Sequence, residues 1–316
     1  MVALSDVVAS NARITSTLPK HLVAVFAGAT MGIGEATLKQ LIMYAVESRI
    51  YLFARNPASA ARVIAECRQI NPRGEFIFVE VDLSLIKETD RACDEVKRKE
   101  KVVNLIVLSA GEVSFGNNRM SHVAAVGDSH EILLDVKTDI SSVTSEDLNL
   151  FLAASSYTRI RIAQQLLPLL STATTTTPLA RVIDVAGGTR EGPVDTTNFG
   201  AINMPIPKLR PHTTSLHTLA WKMLAREAPN VSFIHSYPGT VYTDLHKGVA
   251  GARGWLIYIA ITVWHTLLGR WMFVPVEECG ERHVFLATSA KYTPRSGGPA
   301  VWWIQSTMQP QEAVMA

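Results

Sequence analysis

The chain has 316 residues, of which 47% are hydrophobic and 18% charged, with a net charge of +2. That apolar content excludes a disordered chain, and the balanced charge without any basic run excludes a nucleic-acid partner. The three cysteines, Cys67, Cys93 and Cys279, are far apart and form no C-x-x-C pair. They support neither a zinc site nor a disulfide framework, and a reducing compartment is expected. The N-terminus lacks the basic head and apolar stretch of a secretory signal. A cytoplasmic location is expected, with membrane association left open.

The first half alternates strands and helices. Leu22–Ala27 is a short apolar run suited to a doubly covered parallel strand. Glycines follow, then a helical pattern over Glu35–Tyr44. Ile50–Ala54 reads as a second strand and Pro57–Ile70 as a second helix. Phe76–Val81 reads as a third strand, Lys87–Lys101 as a charged surface helix, and Val103–Leu108 as a fourth strand. The stretch Gly111–Val143 has little periodicity and reads as an irregular excursion. Ser145–Leu170 reads as a long helix with Ser145 as N-cap and Pro168 near its end, followed by a threonine-rich loop over Ser171–Thr177. Arg181–Val185 is a fifth strand. Leu216, Leu219, Ala220, Met223 and Leu224 fall at helical spacing and predict an amphipathic helix. Ser232–Tyr237 and Ala300–Trp303 complete seven strands. The alternation predicts one α/β domain: a doubly wound, Rossmann-type parallel sheet of about seven strands, in the order 3-2-1-4-5-6-7 with helices on both faces.

One segment calls for a membrane test. Gly254–Gly269 carries no formal charge and lies between Arg253 and Arg270. It is shorter than the ~20 residues of a spanning helix. A buried or substrate-covering helix is expected, with peripheral membrane contact through 254–274 as the alternative.

The segment VFAGATMGIGEATL carries the most chemistry. Gly28, Gly32 and Gly34 stand directly after a strand and before a helix. There the chain must turn sharply, let its backbone approach a pyrophosphate, and point the first free helical N–H groups at that anion. Thr30 and Ile33 belong to the same loop.

This spacing resembles the short-chain dehydrogenase/reductase family, whose signature is T-G-x-x-x-G-x-G, with Ala27 in place of the usual Thr. Three further stations agree. Asp82 in VDLS stands where the family places an acid beside the adenine. Ser109, Ala110 and Gly111 resemble its N-A-G. Pro238, Gly239, Val241 and Thr243 in YPGTVYT resemble its P-G-x-x-x-T around the nicotinamide. Arg55 directly follows the second strand, where enzymes that prefer NAD carry an acid. A guanidinium there can instead pair with a 2′-phosphate, so NADP(H) is the expected cofactor.

The resemblance fails at the chemistry. The family uses a Tyr-x-x-x-Lys pair with a Ser and an Asn. Ser155 takes the Asn position, and Ala186 or Gly187 the Ser position. An ungapped count back along the amphipathic helix gives Lys208 and Met204 for the pair; a gapped count gives Asn203 and Phe199. Neither register contains a tyrosine. Lys208 is expected to hold the nicotinamide ribose, and Ser155 to hydrogen-bond the substrate or a relay water. Tyr157, His212, His217 and Tyr242 are substitute proton carriers. Through SSYTRIRIAQQLLPLL, GGTREGPVD, GRWMFVPVEECGERHVFLATSA and the glycine loop, the whole chain resembles fungal members that often also depart from the Tyr/Lys pair, many of them in specialised-metabolite pathways. The resemblance implies an oxidoreductase acting on a hydrophobic small molecule. A non-redox isomerase or cyclase, or a cofactor-binding protein without catalysis, are the alternatives. No metal is expected.

Overall fold

The computed structural model describes residues 2–45, 47–115, 118–121, 142–177, 179–239, 241, 274–294, 300–304 and 310–311. Two short N-terminal helices, α1 (Leu4–Asn11) and α2 (Ile14–Thr17), precede the first strand. Then come β1 (Val23–Ala27), α3 (Gly32–Tyr44), β2 (Arg49–Ala54), α4 (Pro57–Ile70), β3 (Glu75–Glu80), α5 (Ile86–Lys99) and β4 (Leu105–Leu108). A hairpin, β5 (Glu112–Phe115) and β6 (Asn118–Ser121), opens the stretch read as irregular; residues 122–141 lie outside the described ones. The second half holds α6 (Leu150–Leu152), a π turn (Ala153–Tyr157), α7 (Thr158–Thr176), β7 (Arg181–Val185), α8 (Ile206–Glu227), β8 (Ser232–Ser236), α9 (Val276–Thr288), β9 (Ala300–Ile304) and β10 (Pro310–Gln311).

The main sheet runs β10-β9-β8-β7-β4-β1-β2-β3. Setting the hairpin aside, its first seven strands in chain order read 3-2-1-4-5-6-7, all parallel, as the alternation predicts. β1 and β4 are direct neighbours, with Ala24 opposite Leu105. The short antiparallel β10 is an addition that the sequence pattern did not reveal. β1, β4, β7 and β8 are buried along their whole length, as strands covered on both faces must be. One face packs α3, α4 and α9 through residues such as Leu38, Val63 and Val284. The other packs α5, α7 and α8 through Cys93, Leu166 and Trp221.

Three local readings need correction. The long helix does not start at Ser145. Residues 145–148 form a turn, and Asn149 is the cap, its Oδ1 accepting from the Leu152 N–H at 3.1 Å. The threonine-rich stretch is not a loop, because α7 runs through Pro168 to Thr176. The hydroxyls of Thr172, Thr174 and Thr175 donate to carbonyls three or four residues back, so they are satisfied within the helix. The buried face of α8 is also rotated from the expected one. Leu219 and Met223 are exposed, and Trp221, Leu224 and Ala225 are buried, with Trp221 stacked on Phe233. Polar residues take part of the buried surface, as described below. Apart from Val274, residues 254–274 lie outside the described ones. No helix among the described residues is long and apolar enough to cross a membrane.

Candidate active site

The glycine loop is held by steric need. Gly28 has φ +87°, and a Cβ there would lie 2.3 Å from the Ala110 nitrogen. A Cβ on Gly34 would meet Ser109 Oγ at 2.2 Å and the Gly28 carbonyl at 2.5 Å. The loop and the end of β4 therefore touch backbone to backbone, tied by Ser109 Oγ donating to the Gly28 carbonyl at 2.8 Å. Arg62 on α4 braces the far side, donating to the Thr30 carbonyl at 2.9 Å and to Glu35 at 2.7 Å.

Beside this loop lies a cavity of about 210 Å³. It gathers Gly28, Thr30, Arg55, Asp82, Ala110 and Gly111, drawn from the ends of β1, β2, β3 and β4. Asn56 and Ser59 line it as well. The Asn56 side chain caps α4 by accepting from the Ser59 N–H at 2.9 Å. Asp82 accepts from both the N–H and the hydroxyl of Ser84. The cradle fits a dinucleotide: glycines where a Cβ would collide, an acid at the third strand, and a guanidinium at the second. Gly32 opens α3 with φ +61°, and Gly239 has φ +81°. Val241 is buried and bridges to Val274. Thr243 and Tyr242 lie outside the described residues.

A second cavity, of about 470 Å³, opens beyond Ile33 and Pro238 at the carboxyl ends of β7 and β8. The π turn joins the two, since Ala154 lines the first and Ser155 the second. π turns of this kind are frequent at functional sites. Ser155 is 8% exposed, and its Oγ has no hydrogen-bond partner. Thr189 lines the same cavity at φ +77°, an outlier for a β-branched residue, with its hydroxyl also unpartnered.

Lys208 is not in either cavity. It sits exposed in the first turn of α8, directly after Pro207. The face that α8 turns to the cavity begins at Arg210 and runs through Thr213 and Thr214 to His217. The ungapped count misjudged this register because apolar residues alone were used to set the helix. The chain between β7 and α8 also carries positive-φ residues at Thr189, Ala201 and Asn203, which spacing does not disclose. Met204 is buried in a small apolar cluster with Leu152 and Leu209, and Phe199 is exposed.

Beneath the second cavity lies a buried ionic cluster. Arg159 of α7 donates to Asp184 at 2.7 Å and to the carbonyls of Leu108, Ala110 and Val185. His217 Nδ1 meets the other Asp184 oxygen at 2.6 Å, and its Nε2 meets Ser156 Oγ at 2.8 Å. The Trp221 indole N–H completes the shell of Asp184 at 3.0 Å. Burial opposes ionisation of Asp184, but the charges of His217 and Arg159 and the His217 hydrogen bond hold its carboxyl well below the usual range. His235 lies stacked on His217; burial pushes it down to about 3, against the pull of Asp184. Ligand atoms of Asp184, His217 and His235 fall within 4.8 Å of one another. The 2.6 Å contact is nevertheless a hydrogen bond, since two ligands of one ion at ~2.0–2.1 Å would sit on the order of 3 Å apart. Of the substitute proton carriers, His217 lines the cavity. His212 is buried elsewhere, its ring bonded to the Asp195 N–H and facing the Phe199 carbonyl, and Tyr157 packs against the Leu152 cluster.

The short chain dehydrogenase profile matches residues 22–134. Oxidoreductase AN1596 of Emericella nidulans is 33% identical over 94% of this chain and 80% of its own length. Oxidoreductase andH of Emericella variicolor is 33% identical over 94% of this chain and 78% of its own. The short-chain dehydrogenase/reductase SAT2 of Stachybotrys chartarum is 29% identical over 93% and 79%. Among solved structures, a 3-oxoacyl (acyl-carrier-protein) reductase from Agrobacterium tumefaciens with NADP bound superposes with a TM-score of 0.59. It shares 19% identity and covers 90% of this chain and 93% of its own. The chain belongs to the short-chain dehydrogenase/reductase family of oxidoreductases.

Proposed function

We propose that the protein is an NADP(H)-dependent oxidoreductase acting on a hydrophobic small molecule in fungal specialised metabolism. The observation that carries this reading is the first cavity. Residues from four consecutive strand ends converge there, and Arg55 stands beside Asn56 and Ser59 at the start of α4. A guanidinium and a helix N-terminus together favour a 2′-phosphate over a bare ribose. The apolar part of the second cavity's wall, Ile33, Phe151, Val185 and Pro238 among others, suits a greasy substrate. Fungal relatives named as oxidoreductases support the same reading.

The bound cofactor supplies a hydride at its nicotinamide. The chain's own residues divide the rest. Gly28 and Gly34 let the loop pack against the end of β4 and so hold it where it would meet the pyrophosphate, and Ser155 offers a hydroxyl to the substrate. His217, oriented through Nδ1 by Asp184, is the imidazole in the cavity wall able to hold and pass a proton.

Calorimetric titration with NADP+ and NAD+ tests the cofactor. NADP+ should bind tighter by about tenfold or more, the worth of a charge-assisted pair, and Arg55→Gln should erase the difference. Equal affinities in the unaltered protein count against the assignment. Loss of NADPH absorbance with candidate fungal metabolites marks redox chemistry; product formed without NADPH loss marks an isomerase or cyclase.

A further inference from the structure

The stripe that α8 turns into the second cavity is polar. Arg210, Thr213, Thr214 and His217 lie at i, i+3, i+4 and i+7, so they share one helical face. Burial rises along it. Arg210 is exposed, Thr213 and Thr214 are each 8% exposed, and His217 is 1% exposed. The stripe therefore runs from the mouth of the cavity to its floor.

Two groups near the mouth stand without partners. Thr213 Oγ1 is buried and makes no hydrogen bond. Among the described residues, the Arg210 side chain has no hydrogen-bond, ion-pair or ring partner. The other charged groups in the wall are already engaged. Arg159 is held by Asp184 and three carbonyls, Arg190 lies over the Tyr237 ring at 4.9 Å, and Glu191 accepts from the Thr218 hydroxyl at 2.7 Å. A planar guanidinium with five donors matches a carboxylate in a two-point fork, and a buried free hydroxyl adds a third donor.

We infer that the substrate of this cavity is an amphipathic carboxylate. Its apolar body lies against the apolar wall, and its carboxylate accepts from Arg210 and the Thr213 hydroxyl at the mouth. Arg210 is then a specificity residue, which fixes the charge of the molecule admitted and which end enters first. The inference rests on the reading of this cavity as a substrate site and adds the substrate's charge to it.

The probes are 4-tert-butylbenzoate and 4-tert-butylbenzamide, which share shape and differ in charge. Binding is measured by calorimetry, with and without NADP+, for the full chain and for Arg210→Gln, Arg210→Lys and Lys208→Gln. The unaltered protein should bind the benzoate about tenfold tighter than the amide, and Arg210→Gln should bring the two within about twofold. Arg210→Lys should fall between, keeping the charge without the fork. Lys208→Gln should keep the original ratio, because Lys208 lines neither of the two cavities. Equal affinity for the two probes, a ratio that survives Arg210→Gln, or an equal loss in Lys208→Gln overturns the inference. Failure of NADP+ to bind counts against the oxidoreductase reading alone, since the probe ratio of the cofactor-free protein still decides the present one.

Discussion

The two cavities at the strand ends are built by different means. The first is shaped by backbone: Gly28 and Gly34 press against Ala110 and Ser109 at distances that admit no side chain. The second is shaped by side chains anchored to a buried charge cluster. Its key pairs join residues 25, 33 and 61 positions apart: Arg159 to Asp184, Asp184 to His217, and Ser156 to His217. A site made from backbone constraints is written locally and admits few substitutions. A site made from a distributed network can exchange its members while the surrounding sheet stays the same. The glycine loop is a site of the first kind, and the cluster around Asp184 is one of the second.

The contrast breaks most severely at Gly28. An alanine there must adopt φ +87° and would place its Cβ 2.3 Å from the Ala110 nitrogen. Backbone strain of ~1–3 kcal/mol adds to a clash that only movement of β4 or the loop can relieve. Gly28→Ala is expected to lose at least about 4 kcal/mol in urea unfolding, together with NADP+ binding. A folded variant that binds NADP+ with unchanged affinity would show that the loop yields more easily than its geometry implies.

The second region breaks at Asp184. Asp184→Ala leaves Arg159 buried without its carboxylate, an effect of about 3–5 kcal/mol. Asp184→Asn keeps the shape and part of the hydrogen bonding and should cost less. Both should leave the glycine loop intact, since Asp184 lines neither cavity.

Acid sharpens the difference. Burial pushes His235 down to about 3 and His283 down to about 4, from the usual 6.5 of a free imidazole. His283 Nδ1 faces the Cys279 carbonyl, so it carries the proton, and Nε2 then accepts from Ser236. Both folded values lie below the unfolded one, so the unfolded chain binds protons first as pH falls. Stability is therefore full above pH 6.5 and declines as pH falls, down to about 4 for the His283 contribution and about 3 for that of His235. Each histidine contributes about 1.4 kcal/mol per pH unit well inside that window. Urea midpoints measured from pH 7.5 to 5 should fall accordingly, and His283→Gln should remove about half of the slope.

Legibility in the sequence follows the same divide. Strand order, the glycine loop and the placement of Arg55 and Asp82 at strand ends beside one cavity were readable because each depends on a few adjacent residues and one strand–helix junction. The Arg159–Asp184–His217 cluster was not. Asp184 sits inside the apolar strand RVIDV, and Arg159 reads as an ordinary helical charge until the fold buries it to 4% exposure. His217 was visible as a possible proton carrier, but nothing local tied it to Asp184. The register of α8 was misread because Leu219 and Met223 are apolar and exposed, whereas Thr213, Thr214 and His217 are polar and buried. An inward polar stripe flanked by threonines was the available signal that this helix lines a cavity.

The smallest effect gives the finest test, on two adjacent serines of the π turn. Ser156 is fully buried, and its Oγ meets His217 Nε2 at 2.8 Å. Removing it leaves a ring nitrogen buried without a partner, so Ser156→Ala should cost about 1–3 kcal/mol. Ser155 is 8% exposed and lines the second cavity, yet its buried hydroxyl has no partner. Ser155→Ala deletes an unsatisfied polar atom and gains slightly in helix propensity. The ligand-free protein should therefore stay within about 0.5 kcal/mol of its original stability or rise slightly. Urea midpoints of the two variants, measured side by side without cofactor, decide the matter. A loss in Ser155→Ala equal to that in Ser156→Ala would mean that the Ser155 hydroxyl already has a partner in the free protein, and it would no longer count as a group held ready for substrate.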